Sequence, residues 1–134
     1  MTDILTAKRE LAGHTLCLCK DGRCLYSDKR GIAPLMEFMQ EGVDLRGFSA
    51  ADVVVGAAAA WLMVKAGIRE VFARTLSQSG QRILTAHGIK HTYETLAPHI
   101  IDRTGTDICP MEKAVANARD AEEAYAVLQK AWQK

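Results

Sequence analysis

The chain has no charge excess, no long apolar run, no internal repeat and no Cys-x-x-Cys pair, and each lack narrows its role. Lysine and arginine number 17 against 16 aspartates and glutamates, a formal net charge of +1 over 134 residues. Phosphate binding leaves a basic excess or a basic stripe. Neither is present, so nucleic acid is not an expected partner. The longest nearly unbroken apolar run, residues 53–64, ends at Lys65, well short of the roughly 20 residues that cross a bilayer. Residues 1–9 hold no apolar stretch of signal-peptide length and no small-residue cleavage site. No membrane association is expected, and the expected compartment is the cytoplasm. The four cysteines are Cys17, Cys19, Cys24 and Cys109. They lack the paired spacing of a structural zinc site. Reduced thiols are the default state in that compartment.

What is present is a sequence 49% apolar and 25% charged, too apolar and too balanced for a disordered chain. Its length fits one compact domain over residues 1–134. Residues 14–27 alternate around Asp21-Gly22, a hairpin signal, because a type I′ turn needs positive φ at both central residues. A helix is expected over residues 32–41, with Pro34 near its start and Gly42 just past its end.

The run from Val53 through four consecutive alanines to Trp61, Leu62 and Met63 has the strongest helical preference in the chain. It is apolar on every side, which predicts a central helix covered all round. Ser49 and Asp52 are its candidate N-caps and Gly67 its end. A strand is expected over 69–76, then a helix capped by Ser77-Gln78-Ser79-Gly80 and ended by Gly88. A second strand is expected over 89–96, with a further short one at Ile100-Ile101. After a polar loop, Pro110 opens a final helix whose inner stripe is Met111, Ala114, Val115, Ala118, Ala121, Tyr125, Leu128 and Trp132. A strand–helix–strand crossover is normally parallel and the hairpin adds an antiparallel edge, which predicts a mixed sheet in a three-layer α/β/α fold.

Several of these segments carry a resemblance. Asp52-Val53-Val54-Val55-Gly56 with the alanines after it, Leu76-Ser77, the strand around Tyr93-Glu94, and residues 103–112 through Cys109-Pro110-Met111-Glu112 resemble a small prokaryotic family of unknown function. That family is grouped with the cytidine deaminase-like superfamily, and the resemblance implies that fold. The family pattern places lysine after the glycine, where this chain has Ala57; any role of that lysine is absent or displaced here. Deaminase chemistry does not follow from the fold. Zinc deaminases set His or Cys with a Glu at one helix start and Pro-Cys-x-x-Cys at the next. The matching starts carry residues 49–53 and 77–80, with neither thiol nor imidazole. Catalytic zinc needs three protein ligands, so the ordinary mechanism is disfavoured, and no metal and no cofactor are expected.

The chemical candidates each have a structural alternative. Cys109 sits where a helix dipole and free amides favour thiolate, or it is simply an N-cap. Glu112 either moves a proton for Cys109 or returns a capping bond to the Cys109 amide. Asp52 either caps a helix or, as the resemblance implies, lines a pocket. Ser77 and Ser79 either cap or hold an anion. Arg103 either clamps an anion bidentately or pairs with Asp102 or Asp107, and Gly105 beside Thr106 lets backbone approach closely. Cys19 and Cys24 face each other across the expected hairpin, where a bridge is thinkable and packing thiols are expected. Two readings follow. One is a small-ligand domain whose pocket joins Asp52, Ser77, Arg103, Gly105, Thr106, Cys109 and Glu112, with catalysis, if any, by Cys109 as nucleophile and Glu112 or Asp52 as acid–base. The other is a non-catalytic regulatory or interaction module in which these motifs only cap helices. A small molecule is the partner in the first, and a homodimer is compatible with either.

Overall fold

Five strands form one mixed sheet in the order β2-β1-β3-β4-β5. The computed structural model describes residues 2–101, 105 and 107–132. Helix α1 (Asp3–Glu10) precedes the hairpin of β1 (Leu16–Lys20) and β2 (Arg23–Ser27). Then come α2 (Ala33–Gln40), β3 (Ser49–Val55), α3 (Ala57–Ala66), β4 (Glu70–Ser77), α4 (Gln78–Ala86) and β5 (Lys90–Ala97). Two helices, α5 (Pro110–Ala114) and α6 (Ala121–Ala131), close the chain. β1 pairs antiparallel with both β2 and β3, whereas β3, β4 and β5 run parallel. The hairpin and the mixed α/β architecture are as expected. Asp21 (φ 51°) and Gly22 (φ 82°) make the turn with both φ positive, the backbone that Asp-Gly tolerates.

Three expectations about individual elements change. The central helix does not begin at 53. Residues 49–55 are the middle strand of the sheet, and Asp52 caps no helix. Three consecutive valines favour the pleated chain, and Val54 and Val55 pair with Thr75 and Leu76 of β4. Gly56 then ends the strand and serves as the N-cap of α3. The expected final helix is two helices. α5 ends after five residues, and Asp120, accepting from the Glu123 amide at 2.8 Å, starts α6 afresh. The expected strand at Ile100-Ile101 is a single bridge between Ile101 and Ile108.

The sheet separates two apolar layers. On one side α3 is buried from Ala57 through Met63 and packs among Leu16, Leu18, Leu35, Met36, Val71, Leu84 and Leu128. On the other side α1 sets Ala7 and Leu11 on Cys17, Cys19, Ala51 and Phe72. That second layer agrees with the three-layer expectation, but the helix that supplies it, α1, is unanticipated from the sequence, because it buries only a narrow stripe. Cys19 and Cys24 are joined in a disulfide, so the reduced packing thiols expected there are corrected. The cause is register: Cys19 lies directly opposite Cys24, with Cα atoms 4.2 Å apart. Among the described residues no helix is long and apolar enough to cross a membrane.

Candidate functional site

Parallel strands deliver their carboxyl ends, and the helices that follow them, to one edge of the sheet. At that edge α3 begins at Gly56-Ala57 and α4 at Ser77-Gln78. Glu112 of α5 reaches into the first of these starts. One carboxylate oxygen accepts from the Ala57 amide at 2.7 Å and the other from the Ala58 amide at 2.8 Å. A helix start presents unpaired N–H groups and a partial positive charge, and here a side chain from the distant α5 satisfies both. A Cβ at position 56 would overlap this carboxylate, so a side chain there would displace Glu112 from the helix start. The capping bond expected from Glu112 to the Cys109 amide is not formed, because that amide donates to the Ile100 carbonyl at 2.9 Å.

Asp52 lies on β3 at 6% exposure, with Oδ1 accepting from the Val54 amide at 3.3 Å. Burial pushes its carboxyl up to about 7, outweighing the amide bonds from Val54 and Val53 that favour the charged form. A carboxyl in that range can give or take a proton at neutral pH. Cys109 is half-buried at the start of α5, with no side-chain capping bond. The long helix expected to polarise it is absent; five residues stand behind it, and the dipole is correspondingly small.

Asp52, Cys109 and Glu112 line one cavity of about 730 Å³ between β3, α2, α3 and α5. Ile32, Pro34, Val53, Val54, Ile101 and Met111 make its walls mainly apolar, and Arg30 adds a cation. Ser77 is not among its lining residues. It is fully buried, accepting from the Gly80 amide at 2.9 Å and lying 3.1 Å from the Ser79 hydroxyl. Gly105 is exposed, with φ at +75°. Arg103 and Thr106 lie outside the described residues. A second cavity of about 590 Å³ shares Glu112 and Ile100 with the first and takes in Ser79 and Arg82. Two cations on its wall are engaged, Lys113 with Asp107 at 2.6 Å and Arg119 with Glu123 at 3.3 Å. Sequence reasoning missed Arg30 and, as backbone groups, the Ala57 and Ala58 amides, whose one trace in sequence is the glycine before the alanines.

Residues 5–131 match the family described as TM1506, a domain of unknown function (DUF1893). The chain belongs to the DUF1893 family. A crystal structure of a DUF1893 family protein from Thermotoga maritima shares its fold at a TM-score of 0.84, with 24% identity over 92% of this chain and 84% of that one. Two deaminases match more loosely. A diaminohydroxyphosphoribosylaminopyrimidine deaminase/5-amino-6-(5-phosphoribosylamino)uracil reductase, also from T. maritima, has a TM-score of 0.47 and 17% identity over 69% of this chain and 35% of that one. A dCMP deaminase from the cyanophage S-TIM5 has a TM-score of 0.48 and 14% identity over 68% and 93%. No curated protein matches the chain. In this DUF1893 chain the residues at the starts of α3 and α4 include neither Cys nor His.

Proposed function

We propose that the protein binds a small molecule in the cavity of Asp52, Cys109 and Glu112. The observation that supports this is convergence: Asp52 of β3 and the Cys109–Glu112 segment at the start of α5, distant from each other in the chain, line one mainly apolar cavity. Such cavities, with few polar groups, are the usual form of a small-molecule site. The apolar walls select a compact apolar body, and Asp52 and Cys109 supply its polar contacts. Glu112 is the floor of the site, its charge spent on the amides of α3. In the catalytic version the Cys109 sulfur adds to a carbonyl carbon of the ligand, the C=O π pair moving onto its oxygen, while the ionised Asp52 accepts the thiol proton.

Iodoacetamide labelling against pH, with mass mapping of each cysteine, tests the catalytic version. Cys109 should label first, with an inflection near the Asp52 transition at about pH 7 that Asp52→Asn removes. Labelling of Cys109 only after denaturation, or an unchanged profile in Asp52→Asn, would sink it. Binding itself is tested with a panel of small aromatic amides by ligand-observed NMR. Their signals should recover when Cys109 is carbamidomethylated, and indifference to that block rejects the pocket. One observation favours the second reading, an interaction module: Val54 and Ile101, both at this cavity, are 44% and 52% exposed. In that reading Cys109 labels without an inflection, and the amide panel shows no binding that carbamidomethylation of Cys109 removes.

A further inference from the structure

Three sulfurs meet under α1. Cys17 and Cys19 are two residues apart on β1 and so share one face of the sheet, while Cys24 stands opposite Cys19 on β2. The Cys17 and Cys19 Sγ atoms lie 3.6 Å apart, and all three Sγ atoms fall within 4.8 Å of one another. A disulfide uses two of them. The third is superfluous to the bridge, yet it is fully buried against it.

We propose that, once the Cys19–Cys24 bridge is reduced, Cys17, Cys19 and Cys24 form an all-sulfur site for a thiophilic metal ion, Zn²⁺ or Cu⁺. Three thiolates at about 2.3 Å from one ion stand roughly 3.8 Å from each other; the Cys17 and Cys19 sulfurs are already close to that spacing at 3.6 Å, and breaking the bridge frees Cys24 to reach it. Thiolates select Zn²⁺ and Cu⁺ over the hard cations. Ile4, Ala7, Leu11, Ala51 and Phe72 exclude water from the inner side of the sulfur cluster. Cys24 is the half-buried member and gives the ion its way in. The balance is explicit. A phosphine or dithiol reductant supplies two electrons, and two protons are taken up as the S–S bond breaks. The ion then displaces one proton from each of three thiols. The bridge and the metal are therefore mutually exclusive.

The test uses the whole chain under argon after reduction with a phosphine, titrated with Zn²⁺ or Cu⁺ in separate arms. Thiolate-to-metal absorption should saturate at one ion per chain, and that ion should survive gel filtration. The oxidised chain should retain none. The bound ion should slow alkylation of Cys17, Cys19 and Cys24 at least tenfold and leave the rate at Cys109 unchanged. Cys17→Ala, a small apolar exchange that the core accepts, should weaken the ion at least tenfold; Cys17→Ser provides a second variant. Loss of the ion on the column, full retention in Cys17→Ala, or protection of Cys109 would each overturn the proposal. Because the alkylation pattern is read on the unmodified sequence, a misfolded variant does not remove the test.

Discussion

Glu112 joins two helices through two hydrogen bonds, and its contribution can be set against that of a neutral amide. Bonds from backbone amides to a carboxylate contribute about 1.5–3 kcal/mol, more than neutral ones. Glu112→Ala leaves the Ala57 and Ala58 amides unmatched and should cost about 2 kcal/mol in urea denaturation, with Glu112→Gln costing less because its amide oxygen still accepts. Gly56→Ala should mimic Glu112→Ala, since its methyl group occupies the carboxylate's place. Asp52 gives a pH signature. Its carboxyl is raised from 3.8 to about 7, so between those values the folded chain holds a proton that the unfolded chain has released. Stability contributed by the neutral form is full below the unfolded value and is lost as pH rises toward about 7. Denaturation midpoints should therefore fall from about pH 4 to about pH 7 and then level. Asp52→Asn should flatten that window, and an unchanged slope would mean that Asp52 ionises normally.

At the scale of elements, α3 shows how an apolar sequence is read by its neighbours. Ala60 is fully buried and faces no cavity, whereas Ala59 lines the site. Ala60→Leu should overpack the core at a cost of about 1–3 kcal/mol. Ala59→Leu should cost less by thermal denaturation, because the added carbons extend into open volume, and it should abolish binding of the amide panel. Equal costs for the two would contradict the position of the cavity. The glycines at 56 and 80 belong to the same junction. A Cβ on Gly80 would press on the Val55 and Gly56 backbone at 3.1 Å, so the first turn of α4 sits directly on the turn between β3 and α3.

Across the whole molecule the two apolar layers are unequal, and the thinner one is the more testable. Among the described residues α1 is the only helix on its face, and Leu11 is its fully buried anchor. Leu11→Ala should cost about 2–5 kcal/mol. It should also expose Cys17, whose thiol burial, and after it the charge of Glu10, pushes up to about 11. Faster alkylation of Cys17 in this variant, with Cys109 unaffected, is the expected result. A variant that loses stability without exposing Cys17 would show that α1 does not shield it.

The α/β class, the hairpin and its turn, the parallel β4–α4–β5 unit and the burial of residues 57–63 follow from sequence alone, because each rests on local pattern: alternation, capping residues, and an apolar run too short for anything but a core helix. The family resemblance was legible through Asp52-Val53-Val54-Val55-Gly56 and Cys109-Pro110-Met111-Glu112. What sequence could not decide is how the Val53 run divides. Helix propensity in the alanines and strand propensity in the valines meet without a break, and pairing with β4 settles the matter in favour of a strand up to Gly56. The partner of Glu112 was equally hidden, since the amides of Ala57 and Ala58 carry no sequence signature and are brought to α5 only by the folded chain. The same holds for the sulfurs: Cys17, Cys19 and Cys24 have no metal spacing as a string, and it is antiparallel register that sets them side by side. Local preference is written residue by residue, whereas register and the approach of distant backbone are decided by long-range packing.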